Sequence, residues 1–157
     1  MPPQFPLLEL PFLAELTALR RDIHAHPELA FHENRTAEIV ARELESYGLE
    51  VHRGLAKTGV VGVLRAGTSQ RMVGLRADMD ALPLCELNEF PHHSKHHGKM
   101  HACGHDGHTA MLLGAARYLA EKPDFDGIAV FIFEPAGESE GGAAVMIEGG
   151  LFEKFRV

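Results

Sequence analysis

The densest set of chemically capable side chains is the run HACGHDGH at residues 101–108, where thiol, imidazole and carboxylate donors crowd into eight positions. Mixed sulfur, nitrogen and oxygen donors at this density suit a transition metal. If the run leaves its loop extended, Cys103 and His105 project to the same side, because side chains alternate with a period of two. Asp106 is placed either to cap a following helix or to act chemically. His101 and His108 read as outer donors or as polar surface residues.

Two further acidic groups stand at the ends of apolar runs. Asp78 and Asp80, in RADMDALP at 76–83, lie two residues apart and would share a face at the carboxyl end of a strand. Carboxylates that close need a cation or a proton between them; otherwise they form a turn in which Asp side chains accept backbone N–H groups. The segment FEPAGESEGGA at 133–143 places Glu134, Glu138 and Glu140 after another apolar run, either as hard oxygen ligands or as an acidic, glycine-rich loop.

The elements that must position these groups follow from periodicity. Leu13, Leu16, Leu19 and Ile23 mark one helix, stopped by Pro27. Ala37, Val40, Ala41, Leu44 and Tyr47 mark a second, with Gly48 at its close. A strand at Leu49 and Val51 is followed by apolar runs at 59–64, 72–77 and 128–133 that read as strands buried on both faces. Helices are expected over 109–120 and 143–147. Residues 85–101 fit neither period and form a long loop holding His92, His93, His96, His97 and His101, four of which offer a place for adventitious metal capture. The predicted fold is α/β, with helices layered on a mixed β-sheet, in one domain over 1–157 that reads as incomplete at its C-terminus.

Composition narrows the function classes. With 157 residues, 45% hydrophobic and 24% charged, the chain holds enough apolar material for one core. Its net charge of −7 and lack of a Lys/Arg cluster argue against nucleic acid or an anionic membrane as partner. Cys85 and Cys103 are too few for a disulfide framework, which favours reduced thiols and a cytoplasmic location. Residues 1–10 carry three prolines and no basic segment, so they read as a structural lead-in, and no apolar run approaches the roughly 20 residues that span a bilayer.

The ordered segments RRDIHAHPEL at 20–29, RADMDALP at 76–83, GKMHACGHDGH at 98–108 and FEPAGESEGGA at 133–143 resemble the N-terminal part of one enzyme family. It is the metal-dependent, zinc-peptidase-like family of hippurate hydrolase, indole-3-acetyl-amino-acid hydrolase and N-acyl-L-amino-acid amidohydrolase. The resemblance implies two neighbouring divalent ions (Zn, Mn, Co or Ni) that activate water for attack on the amide of a small N-acyl amino acid. It implies Cys103 as bridging ligand, His105 and Glu138 as further ligands, and Asp80 as the group that orients a ligand, with Asp78, His101 and His108 as secondary candidates. Cys85 has no such role.

Two departures from the family pattern shape the expectation. Gly137 stands where relatives carry the general-base Glu, and loss of such a base costs roughly 10²- to 10⁴-fold in rate. Glu134 and Glu140 are the nearby substitutes. Relatives also continue into further strands, a dimerisation or lid domain and additional histidine ligands, so an incomplete metal site, an exposed sheet edge open to self-association, and impaired or absent hydrolysis are expected. The alternative is a non-catalytic metal-binding or interaction fragment.

Overall fold

The computed structural model describes residues 10–138 and 141–157. Residues 1–9 of the expected lead-in at 1–10 and the Glu140 candidate lie outside these. In chain order the elements are α1 (Leu13–Ala25), α2 (Asn34–Ser46), β1 (Glu50–Leu55), β2 (Gly59–Ala66), β3 (Met72–Asp78), α3 (His105–Glu121), β4 (Gly127–Glu134), α4 (Gly142–Glu148) and α5 (Leu151–Lys154). The four expected strands and the α/β layering are all present. Among the described residues, no helix is long and apolar enough to cross a membrane.

The strands form a mixed sheet in the order β1-β2-β4-β3. Both β1–β2 and β2–β4 are antiparallel, whereas β3 runs parallel to β4 from Met72 opposite Ile128 to Asp78 opposite Glu134. A parallel neighbour requires a long crossover, and α3 supplies it. The register brings the carboxyl ends of β3 and β4 side by side, so the acidic segments that follow them emerge at one edge of the molecule.

Strand β4 is buried along its whole length and divides the core in two. Ala129, Phe131 and Phe133 face one side and pack with Val40, Ala41, Leu44, Leu112, Leu113 and Ala116 from α2 and α3. Ile128, Val130 and Ile132 face the other and meet Met146, Leu151 and Phe155. Each Val, Leu, Ile, Phe or Met side chain among these contributes about 1.5–3 kcal/mol on burial, so β4 anchors both layers.

Three sequence expectations need correction. Strand β3 is not buried on both faces: it ends the sheet, with β4 as its one neighbour among the described residues, and Val73 is 58% exposed. Leu13 lies outside the buried stripe of α1 at 59% exposure, because Phe12, just before the helix, is the side chain that turns inward. Helix α3 begins at His105 rather than 109, since Gly104 takes a left-handed conformation and its carbonyl accepts the N–H groups of Gly107 and His108. The weak helix formers of the first turn hid it from the sequence pattern.

Candidate metal centre

The site assembles where the ends of β3 and β4 meet the first turn of α3. Asp80 is its organiser and is almost fully buried. Its Oδ1 accepts the N–H of Gly137 at 2.9 Å and its Oδ2 that of Glu138 at 3.2 Å, which ties the turn after β4 to the segment after β3. The same Oδ1 lies 3.1 Å from His105 Nδ1, and the Asp80 carbonyl lies 2.8 Å from that nitrogen. Burial works to raise the Asp80 pKa, but the hydrogen bonds from His105, Glu138 and Gly137 prevail and hold it below the ordinary range. Two acceptors facing Nδ1 place the imidazole proton there and leave the Nε2 lone pair free to act as a ligand.

Around that Nε2 stand two carboxylates: Glu138 Oε1 at 3.3 Å and Asp78 Oδ2 at 3.5 Å. Burial lowers the His105 pKa, but the bond to Asp80 and the charges of Asp78 and Asp80 outweigh it, so the net shift is upward. The Cys103 thiol donates to Glu138 Oε1 at 2.7 Å, and this bond leads the causes that raise its pKa to about 11. Without a cation the thiol keeps its proton; a divalent cation reverses that preference by binding the thiolate.

Cys103, His105 and Glu138 offer donor atoms that all lie within 4.8 Å of one another, and so do Asp78, His105 and His108. Thiol, imidazole and carboxylate converging on one point fit a divalent metal. His108 joins through Nδ1, 2.7 Å from Asp78 Oδ1, with its ring stacked 5.5 Å from that of His105. The extended reading of 101–105 does not hold, since Gly104 turns the chain into α3, yet Cys103 and His105 still converge.

The remaining candidates lie elsewhere or are engaged. Glu134 is 4% exposed and accepts Arg76 Nε at 2.6 Å, while the same guanidinium reaches Asp78 Oδ2 at 3.1 Å. A Cβ on Gly137 would stand 2.9 Å from Asp78 Cβ and 3.3 Å from the Arg76 guanidinium, so the space beside it is already filled. His101 is neither a surface residue nor a member of either donor set: it is 4% exposed, neither ring nitrogen has a partner among the described residues, and burial pushes its pKa down to about 4. Asp106 caps nothing. It is fully buried in the first turn of α3, where Arg20 Nε at 2.7 Å and His24 Nδ1 at 2.8 Å reach its Oδ2. Cys85 is exposed, with its sulfur 3.8 Å from His97 Nε2. Neither donor set draws on His92, His93, His96 or His97.

Sequence reasoning missed the supports of this centre. His24 bridges Asp106 to Glu86 at 3.1 Å, and Glu86 in turn accepts the Ser94 N–H at 2.6 Å, which fastens the histidine-rich loop to α1 and α3. The segment at 20–29 enters the sequence reading through the resemblance alone; its paired Arg20 and Arg21 followed by His24 and His26 are the available signal. Glu33, buried beneath the turn at 135–138, carried no signal in the sequence.

Residues 74–157 match the model of peptidase family M20/M25/M40. The chain is 55% identical over 141 residues to a hippurate hydrolase of Campylobacter jejuni, covering 90% of this chain and 37% of that protein. It is 47% identical over 142 residues to an N-acyl-L-amino acid amidohydrolase of Geobacillus stearothermophilus, covering 88% and 38%. The chain thus spans about a third of the length of the curated relatives it matches. Among solved structures, a dinuclear metal-binding peptidase from the M20 family of Bacillus subtilis superposes with a TM-score of 0.84 at 40% identity, covering 88% of this chain and 40% of that one. The resemblance drawn from the four motifs is thereby borne out.

Proposed function

Because this chain belongs to peptidase family M20/M25/M40, we propose that it serves metal-dependent hydrolysis of the amide bond of small N-acyl amino acids, with Cys103, His105 and Glu138 as ligands. The convergence of those three donors on the nitrogen that Asp80 frees carries the reading. The names of the relatives support the substrate class. Cys103, His105 and Glu138 would hold a divalent cation there, which would supply a Lewis acid for the amide carbonyl and for activating water. Cys103 would bind as the thiolate with its proton released to solvent, so the bond it now donates to Glu138 Oε1 would give way to joint ligation by the two side chains. Asp80 keeps His105 in one tautomer and one orientation throughout.

Gly137 offers no side chain to accept a proton, and Asp78 fills the adjacent space. That observation favours a second reading beside the first: cation binding with little or no turnover. Both are tested by elemental analysis of the zinc- or cobalt-loaded chain, together with hydrolysis of hippurate and of an indole-acetyl amino acid. The expected result is bound metal that is lost in a folded His105→Gln variant, with hydrolysis slower by roughly 10²- to 10⁴-fold than in a relative carrying Glu at this place. Metal without measurable turnover selects the second reading. Metal uptake that His105→Gln leaves undiminished refutes both.

A further inference from the structure

Two donor sets share one residue. His105 belongs to the group with Cys103 and Glu138 and to the group with Asp78 and His108, yet its Nδ1 is committed to the carbonyl and Oδ1 of Asp80. One nitrogen, Nε2, remains for both. Glu138 Oε1 stands 3.3 Å from it and Asp78 Oδ2 3.5 Å, so neither carboxylate is favoured by reach. We infer that His105 Nε2 is a pivot at which one cation exchanges between two positions: a thiolate position with Cys103 and Glu138, and a thiol-free position with Asp78 and His108.

The second position is built by local geometry. His105 and His108 are three residues apart at the start of α3, so they lie on one helical face, and their rings stack at 28°. Asp78 ends β3, where the Thr109 hydroxyl donates to its carbonyl at 3.0 Å and fixes the strand against the helix. Its Oδ1 already meets His108 Nδ1 at 2.7 Å, and among the described residues Arg76 is the guanidinium or ammonium group that competes for Oδ2, at 3.1 Å. Two imidazoles and a carboxylate accept Mn, Fe, Co, Ni or Zn, whereas the thiolate set prefers the softer ions. Cation identity therefore shifts the balance, with Co and Zn drawn to Cys103 and Mn drawn to Asp78 and His108.

This inference rests on the proposed ligand role of Cys103, and Co(II) tests the two separately, because a thiolate ligand adds a charge-transfer absorption that imidazole and carboxylate do not. Titrations use the full chain with the exposed loop residues His93, His96 and His97 replaced by Asn, and circular dichroism confirms folding of each variant. Before further substitution, one Co(II) per chain with the thiolate band is expected. Cys103→Ser should keep one Co(II) without the band, and Cys103→Ser with His108→Ala should weaken binding by about tenfold or more beyond that. A band that vanishes together with all bound metal in folded Cys103→Ser overturns the pivot alone. So does a double variant that binds as tightly as Cys103→Ser, or two Co(II) per chain that are both lost in His105→Gln. A starting spectrum without the band, unchanged in Cys103→Ser, removes the Cys103 ligand role and the pivot with it.

Discussion

Glu33 holds three segments together beneath the site. It is fully buried just before α2, its Oε2 accepts the Thr58 hydroxyl at 2.6 Å, and its Oε1 accepts the Ala136 N–H at 2.9 Å. Ala136 has φ +56°, a left-handed conformation that a non-glycine residue adopts at a cost of about 1–2 kcal/mol, and two residues later the same turn delivers Glu138. Truncating Glu33 to Ala leaves both donors buried without an acceptor, at about 1–3 kcal/mol each, partly offset because a carboxylate no longer has to be desolvated. The net expectation for Glu33→Ala is a loss of about 2–4 kcal/mol, which lowers the melting temperature of a chain this size by roughly 5–15 °C. Glu33→Gln keeps an oxygen for Ala136 and gives its amide to the Thr58 oxygen, so it should cost less than about 1 kcal/mol. Urea unfolding reads this as a lower midpoint with an unchanged slope for Ala and a near-normal midpoint for Gln, and Co(II) affinity should fall in the Ala variant alone. Burial raises the Glu33 pKa, and the bonds from Thr58 and Ala136 only partly oppose it. A raised carboxylate contributes most below its unfolded value and loses that contribution as pH rises through its folded one, so the Gln variant should gain on the wild type as pH climbs above about 4.5. Glu33→Ala within 0.5 kcal/mol of wild type, or Glu33→Gln as damaging as Glu33→Ala, would refute the reasoning.

Glu86 reports in the opposite sense. Burial works to raise its pKa, but the bonds from Asn88, the Ser94 N–H and His24 outweigh it and bring it down to about 2. Its contribution is present above the unfolded value near 4.5 and lost as pH falls toward 2, so thermal melting should drop over that window less steeply in Glu86→Gln; parallel profiles would count against the anchor. Asp80→Asn should weaken zinc binding by about 10- to 100-fold in calorimetric titration, because an amide cannot accept both backbone N–H groups and the His105 proton; unchanged affinity would remove its orienting role. Gly142→Ala drives a methyl into the Pro135 carbonyl and should cost at least about 1–3 kcal/mol, whereas Gly107→Ala meets nothing and should gain up to about 1 kcal/mol of helix propensity. Equal melting temperatures for the two variants would contradict the packing at the turn after β4.

By itself, the sequence determined the local pieces. Apolar spacing placed four strands and four of the five helices to within a few residues, because a buried stripe must repeat with the period of its element; the single turn of α5 is too short to show one. The clustering of donors at 101–108 marked the centre, since no short-range structural need calls for so many ligands together. Only the tertiary structure decided which donors meet. His24 and Asp106 are 82 residues apart in the chain, Glu33 and Ala136 are 103 apart, and Cys103 and Glu138 are 35 apart. Periodicity says nothing about pairs at such separations. The fate of Asp106, open between cap and chemistry and found in a buried ion pair, and of His101, open between outer donor and surface residue and found buried, depended on where α1 and the histidine loop fold back. The exposure of β3 was likewise a matter of strand order. An apolar run reads alike at the centre of a sheet and at its edge, and the number of neighbours a strand acquires is set by the crossover through α3, not by its own residues.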